Sequence, residues 1–174
     1  MRTRLRARQT VNLANGSTLA GLGVAAVGGA AIARSADGLF AATGYRLAVP
    51  PAPAFCLGNV IVTRMEVLEP GSPLFRHEAR HATQFAWCGG VVMIPLYLAA
   101  AGVSWVLTGD FGSRNVFERR AGLADGGYAD KPLRHFYLRL PGVTWPGRTA
   151  RARVPDGPER AAAGRDGSTA STSR

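Results

Sequence analysis

Gly71-Ser72-Pro73-Leu74-Phe75-Arg76-His77-Glu78-Ala79-Arg80-His81-Ala82-Thr83-Gln84-Phe85-Ala86-Trp87 is the stretch from which the rest of the chain can be read. Ser72 before Pro73 is a helix start. The serine side chain can accept from a free backbone N–H, and proline at the first helical position gives up no hydrogen bond. No breaker follows until Gly89-Gly90, so the spacing predicts a helix over 74–87. On that helix His77 and His81 stand at i and i+4 and share one face. Two imidazoles so placed can hold one Zn²⁺, with Glu78 beside the water that the metal activates. The chain has three His and five Glu among 174 residues. Shuffling that composition produces H-E-x-x-H roughly once in a thousand arrangements, so the pattern reads as chemistry. The bland alternative is a surface pair of His on an amphipathic helix, with Glu78 paired to a nearby Arg.

A catalytic zinc site needs a third protein ligand and an open position. His135 lies 54 residues past His81, and the longer H-E-x-x-H-x-x-G-x-x-H pattern is absent, since Gln84 and Trp87 occupy those places. A carboxylate is the other choice. Glu118 sits in Asn115–Ala121, which reads as a third helix, 37 residues after His81. Asn115-x-x-Glu118 is also a capping-box spacing, in which Glu118 would reach back to the Asn115 backbone. Asp110 and Asp125 are further candidates, both in turns where Asp is common for local reasons.

Upstream, Ala31–Arg34 and Leu39–Leu47 read as strands around the turn Ser35–Gly38, and Phe55–Arg64 reads as one further strand in which Gly58 marks a bulge or a close backbone approach. Downstream, a second helix is expected from Pro95 to about Leu107, a turn at Gly109–Gly112, and a last strand at His135–Leu140. No charge occurs from Ala82 to Gly109, a run of 28 residues. That is long enough to cross a bilayer, although Gly89-Gly90 and Pro95 interrupt it. Arg residues flank the run on both sides, so they assign no orientation.

The formal net charge is +10, but it sits at the ends. Arg2, Arg4, Arg6 and Arg8 precede a nearly balanced body, and residues 146–174 hold six Arg against three acids. A dense basic face on the folded part is therefore not expected, and no specific nucleic-acid partner is read. We expect a basic disordered arm over 1–10, one domain over 11–145 and a disordered basic tail over 146–174. Arg residues followed by the uncharged run Ser17–Ala33 outline a secretory signal over about 1–33, but four glycines weaken its apolar core. A short helix starting near Ser17 and packed on the body is preferred. The expected location is cytoplasmic or membrane-associated. Cys56 and Cys88 are too few for a disulfide framework.

Arg76–Gln84 resembles the H-E-x-x-H-x-x-Q core of small bacterial, actinobacterial-type zincin-like proteins, which are similar to gluzincin metallopeptidases. Phe55–Thr63 is similar to the strand before the motif in that group, and Asn115–Ala121 looks like its N-x-x-E-x-x-A segment. The resemblance covers about residues 55–121. It implies an α+β fold, a minimal zincin-like domain, with His77, His81 and Glu118 as zinc ligands, Glu78 as catalytic base and a peptide or protein as substrate. The larger gluzincins also have a second lobe and a Tyr or His that stabilises the transition state. This chain has no room for the lobe, and Tyr128 or His135 would have to fill the other role. An edge strand beside the motif helix would seat the substrate, and Val60–Thr63 is the strand expected there. The rival readings are a non-catalytic interaction module of the same fold, and a small membrane protein whose span is a helix at about 85–108.

Overall fold

In the computed structural model, which describes residues 2–134, the start signal at Ser72–Pro73 does what its chemistry predicts. The Ser72 side chain accepts from Phe75 N, and a helix runs over Pro73–Trp87. This helix packs on a four-stranded sheet made of β1 (Ala31–Arg34), β2 (Phe40–Thr43), β3 (Ala54–Leu57) and β4 (Val60–Thr63), in the order β1-β2-β4-β3. The β1–β2 and β3–β4 pairs are antiparallel, and β2–β4 is parallel. The helices are α1 (Arg2–Ala14), α2 (Ser17–Val27), α3 (Pro73–Trp87), α4 (Met93–Thr108) and α5 (Val116–Ala121). The class is α+β.

The central strand β4 is buried along its whole length and divides the core by simple alternation. Ile61 faces Leu39, Phe75 and Ala82 on the α3 side. Val60 and Val62 face Ala25, Ala42 and Tyr45 on the α2 side. Gly21 lets α2 lie directly on β4, because a Cβ there would meet Leu57 O and the Val60 side chain. Two full layers thus hold the sheet rigid, and α3 lies across β3.

Three expectations are corrected. Residues 2–10 are not a disordered arm but most of α1, so the domain boundary at residue 11 fails. The buried face of α1 is polar. Arg8 Nη2 and Gln9 Nε2 donate to Asp37 O, and Asn12 Nδ2 donates to Asn59 Oδ1 and Ala82 O. Phe55–Arg64 is not one strand. Gly58, at φ 63°, turns it into the β3–β4 hairpin, and its lack of a Cβ also admits the backbone of Ser17 and Thr18. The run 85–108 is not one helix, because Gly89 and Gly90 take positive φ and lead through a single 3₁₀ turn into α4. Ser17–Ala33, which outlined a signal, folds as α2 and β1. The strand expected at 135–140, His135 and the tail over 146–174 lie outside the described residues.

Candidate metal centre

The helical period of α3 brings His77 and His81 onto its buried face, and both are nearly inaccessible. Asn115 caps α5 by accepting from Phe117 N, and this aims Glu118, 2 % exposed, at the two rings. Glu118 does not close a capping box, since Asn115 N already donates to Gly112 O. His77 Nε2 lies 3.0 Å from Glu118 Oε2, His81 Nε2 lies 3.6 Å from Glu118 Oε1, and the two Nε2 atoms are 3.1 Å apart. Ligand atoms held tetrahedrally at 2.0–2.1 Å from zinc stand about 3.3 Å from one another. The Nε2–Nε2 distance and the distance from each ring to its nearer carboxylate oxygen lie around that length.

The outer nitrogens fix the tautomers. His77 Nδ1 lies 3.0 Å from Gly122 O, which can only accept, so Nδ1 carries the proton. His81 Nδ1 lies 2.8 Å from Gln84 Oε1. Gln84 Nε2 donates to Phe117 O, which orients the amide and makes His81 Nδ1 a donor too. Both imidazoles therefore turn their Nε2 lone pairs toward a carboxylate. Converging electron-rich atoms require a cation between them, a proton or a metal ion. Glu118 Oε2 approaches His77 without hydrogen-bond alignment and has no other partner. Its Oε1 accepts from Tyr97 Oη at 2.5 Å.

Burial works against the Glu118 charge, but the two imidazoles, when doubly protonated, together with Tyr97 Oη outweigh it and hold the carboxyl down at about 2. For His77, burial pushes the imidazolium down, while Glu118 and Glu78 more than restore it, so its pKa is raised. Glu78 is pushed up by burial, against the pull of His81 and His77.

No family model, curated protein or solved structure matches this chain. The centre is therefore read from its own atoms. His77, His81 and Glu118 supply one ligand atom each, all within 4.8 Å of one another. Glu78 stands apart from that set, 4 % exposed, on the wall of an adjoining cleft of about 460 Å³, and its Oε2 has no partner. Tyr128 shares this wall, its ring 6.1 Å from that of His77, and its phenol is pushed up to about 12 by burial and the Glu118 charge. The phenol is thus a hydrogen-bond donor at neutral pH.

The other sequence candidates have different work. Asp110 accepts from Gly112 N and Ser113 N within its own turn and pairs with Lys131. Asp125 pairs with Arg76 and Arg80 at the surface. Val60–Thr63 is central and cannot seat a substrate. The edge beside the centre is β3, whose four residues line the cleft, and among the described residues no strand pairs with its outer side. Sequence reasoning missed Gln84 and Tyr97 as members of the centre. Gln84 had a signal, since i+3 from His81 is within reach on a helix. Tyr97 had none, because only the folded chain brings α4 over α5.

Proposed function

We propose that this chain is a zincin-like, zinc-dependent peptidase that works on an extended polypeptide lying along β3. The observation that carries the reading is the convergence of His77 Nε2, His81 Nε2 and the Glu118 carboxylate, with both imidazoles locked as Nδ1–H tautomers. This donor set, two neutral imidazoles and one carboxylate, suits zinc and leaves a fourth direction open toward the cleft. Bound there, zinc supplies Lewis acidity and brings the pKa of a water close to neutrality.

The chain's own residues divide the remaining work. Glu78 is buried on the cleft wall with a free oxygen, placed to take a proton and return it to a leaving amine. Tyr128 offers an O–H to a developing oxyanion. The unpaired edge of β3 offers main-chain hydrogen bonds to an extended chain, and Phe55, Leu57, Phe85 and Leu98 give the cleft an apolar surface. Gln84 and the Gly122 carbonyl hold the rings in place.

The test is metal content and affinity. Purified protein is expected to carry about one zinc per chain by elemental analysis. His77→Ala and Glu118→Ala should lose most of it, whereas Glu78→Gln should keep the zinc and lose hydrolysis of a casein probe. Wild-type protein that folds metal-free and takes up no zinc at micromolar concentration would falsify the reading.

A further inference from the structure

Helix α4 is built inside out. Its polar side chains all turn toward the protein. Tyr97 donates to Glu118, Ser104 Oγ donates to Asp110 O and accepts from Arg114 N, and Thr108 Oγ1 donates to Ser104 O. The buried positions Met93, Ala101, Ser104 and Thr108 and the half-buried Tyr97 form one narrow stripe, edged by the half-buried Ala100 and Leu107. The other positions are apolar and exposed, including Leu98 at 62 %, Val103 at 57 % and Val106 at 50 % exposure. At 100° per residue the exposed positions from Val91 to Val106 sweep roughly 200° of the helix surface. A surface helix in water shows the opposite pattern.

We infer that this outward face lies in a lipid bilayer, with α4 in the plane of the membrane. Three observations on the helix favour lipid over a protein partner. An arc of that width, added to the inner stripe, leaves the helix apolar nearly all round, a pattern found in protein cores and in membranes. At its C-terminal end Trp105 stacks on Phe111 with their centroids 6.3 Å apart, and the Arg134 guanidinium sits 5.5 Å from the Trp105 ring. At its N-terminal approach Trp87 is 86 % exposed. Aromatic rings at both ends of an apolar element, one of them beside an arginine, suit the headgroup boundary. The formal net charge of +10 complements anionic lipid. The segment Gly90–Thr108 is long and apolar enough to cross a membrane. Its inner stripe, however, is bonded to α5 and the turn at Asp110, which places the domain beside it and favours insertion to one side. Ile94 and Leu98, both exposed on α4, also line the cleft, so the cleft borders the face assigned to lipid.

The experiment uses the full chain and vesicles of equal parts phosphatidylcholine and phosphatidylglycerol. Wild-type protein should float with the vesicles and stay bound in high salt. Brominated acyl chains should quench its tryptophan emission, with the quenching reduced in Trp105→Phe and in Trp87→Phe and most of it lost when the two are combined. Val103→Asp combined with Val106→Asp touches only the outward face, away from the cleft, and should cut partitioning by at least roughly tenfold while circular dichroism stays unchanged. His77→Ala should float as wild type does, so failure of the zinc reading leaves this result intact. Wild type that remains in the soluble fraction beside vesicles overturns the inference. So does a detergent-free dimer that the two Asp substitutions convert to monomer, since a second copy would then be what covers the face.

Discussion

His77 holds a proton on Nδ1 for Gly122 and meets the Glu118 carboxylate with Nε2. Without metal, that meeting is an ion pair only while the ring is doubly protonated. The pKa of His77 is raised in the folded protein, so its contribution is complete below the unfolded value of about 6.5 and is lost as pH rises through the folded value. The pKa of Glu118 is depressed, so its contribution is complete above the unfolded value of about 4.3 and is lost as pH falls toward about 2. The metal-free protein should therefore be steadiest between those limits and lose melting temperature as pH rises past about 6.5 through the raised His77 value. A zinc-loaded protein needs neutral rings and should show no such alkaline decline. Melting curves of chelator-treated and zinc-loaded samples from about pH 4 to about pH 9 compare the two. Parallel alkaline declines would mean that no metal sits on His77.

The loop after α5 clamps the centre from the side opposite α3. Gly122 gives its carbonyl to His77, and a Cβ on Gly126 would collide with the His77 ring. Gly126→Ala should displace the ring and weaken zinc affinity by at least roughly tenfold in a chelator competition. Gly23→Ala in α2, where a Cβ meets nothing, should leave affinity unchanged and add up to about 1 kcal/mol of stability. Helix α3, its cap and the spacing of His77, Glu78 and His81 were legible in the sequence because local chemistry specifies them. Glu118 was legible as one of several carboxylates. What chose it over Asp110 and Asp125 was the turn geometry that occupies those two elsewhere. Helix α1 was not legible, since its buried stripe is Arg8, Gln9 and Asn12, and a search for apolar periodicity passes over such a face. The edge strand was misassigned for a topological reason. β2 pairs in parallel with β4 and pushes β3 to the rim, and strand order is not written in any one strand.

At the scale of the whole molecule, α1 ties the chain's start to its middle. Asn59 Nδ2 donates to Gln9 O, and Asn12 reaches both the β3–β4 turn and α3. Deleting residues 2–14 removes Asn12 and the Gln9 carbonyl from Asn59 and the Ala82 carbonyl and should cost at least about 2 kcal/mol, read from the midpoint of urea unfolding. An unchanged midpoint would show that α1 is dispensable. The separation of the ligands has a further consequence. His77 and His81 are one turn apart, but Glu118 follows His81 by 37 residues, and α4 lies wholly inside that interval. In polymer terms, an ion on these three atoms is a removable staple across a long loop, restricting the unfolded chain much as a covalent cross-link does. Chelation would cut the staple and leave the sheet with α1, α2 and α3 intact. The segment released to open by itself would be the one from Cys88 to Ala121, so the amides of α4 and α5 should become the first to exchange with solvent.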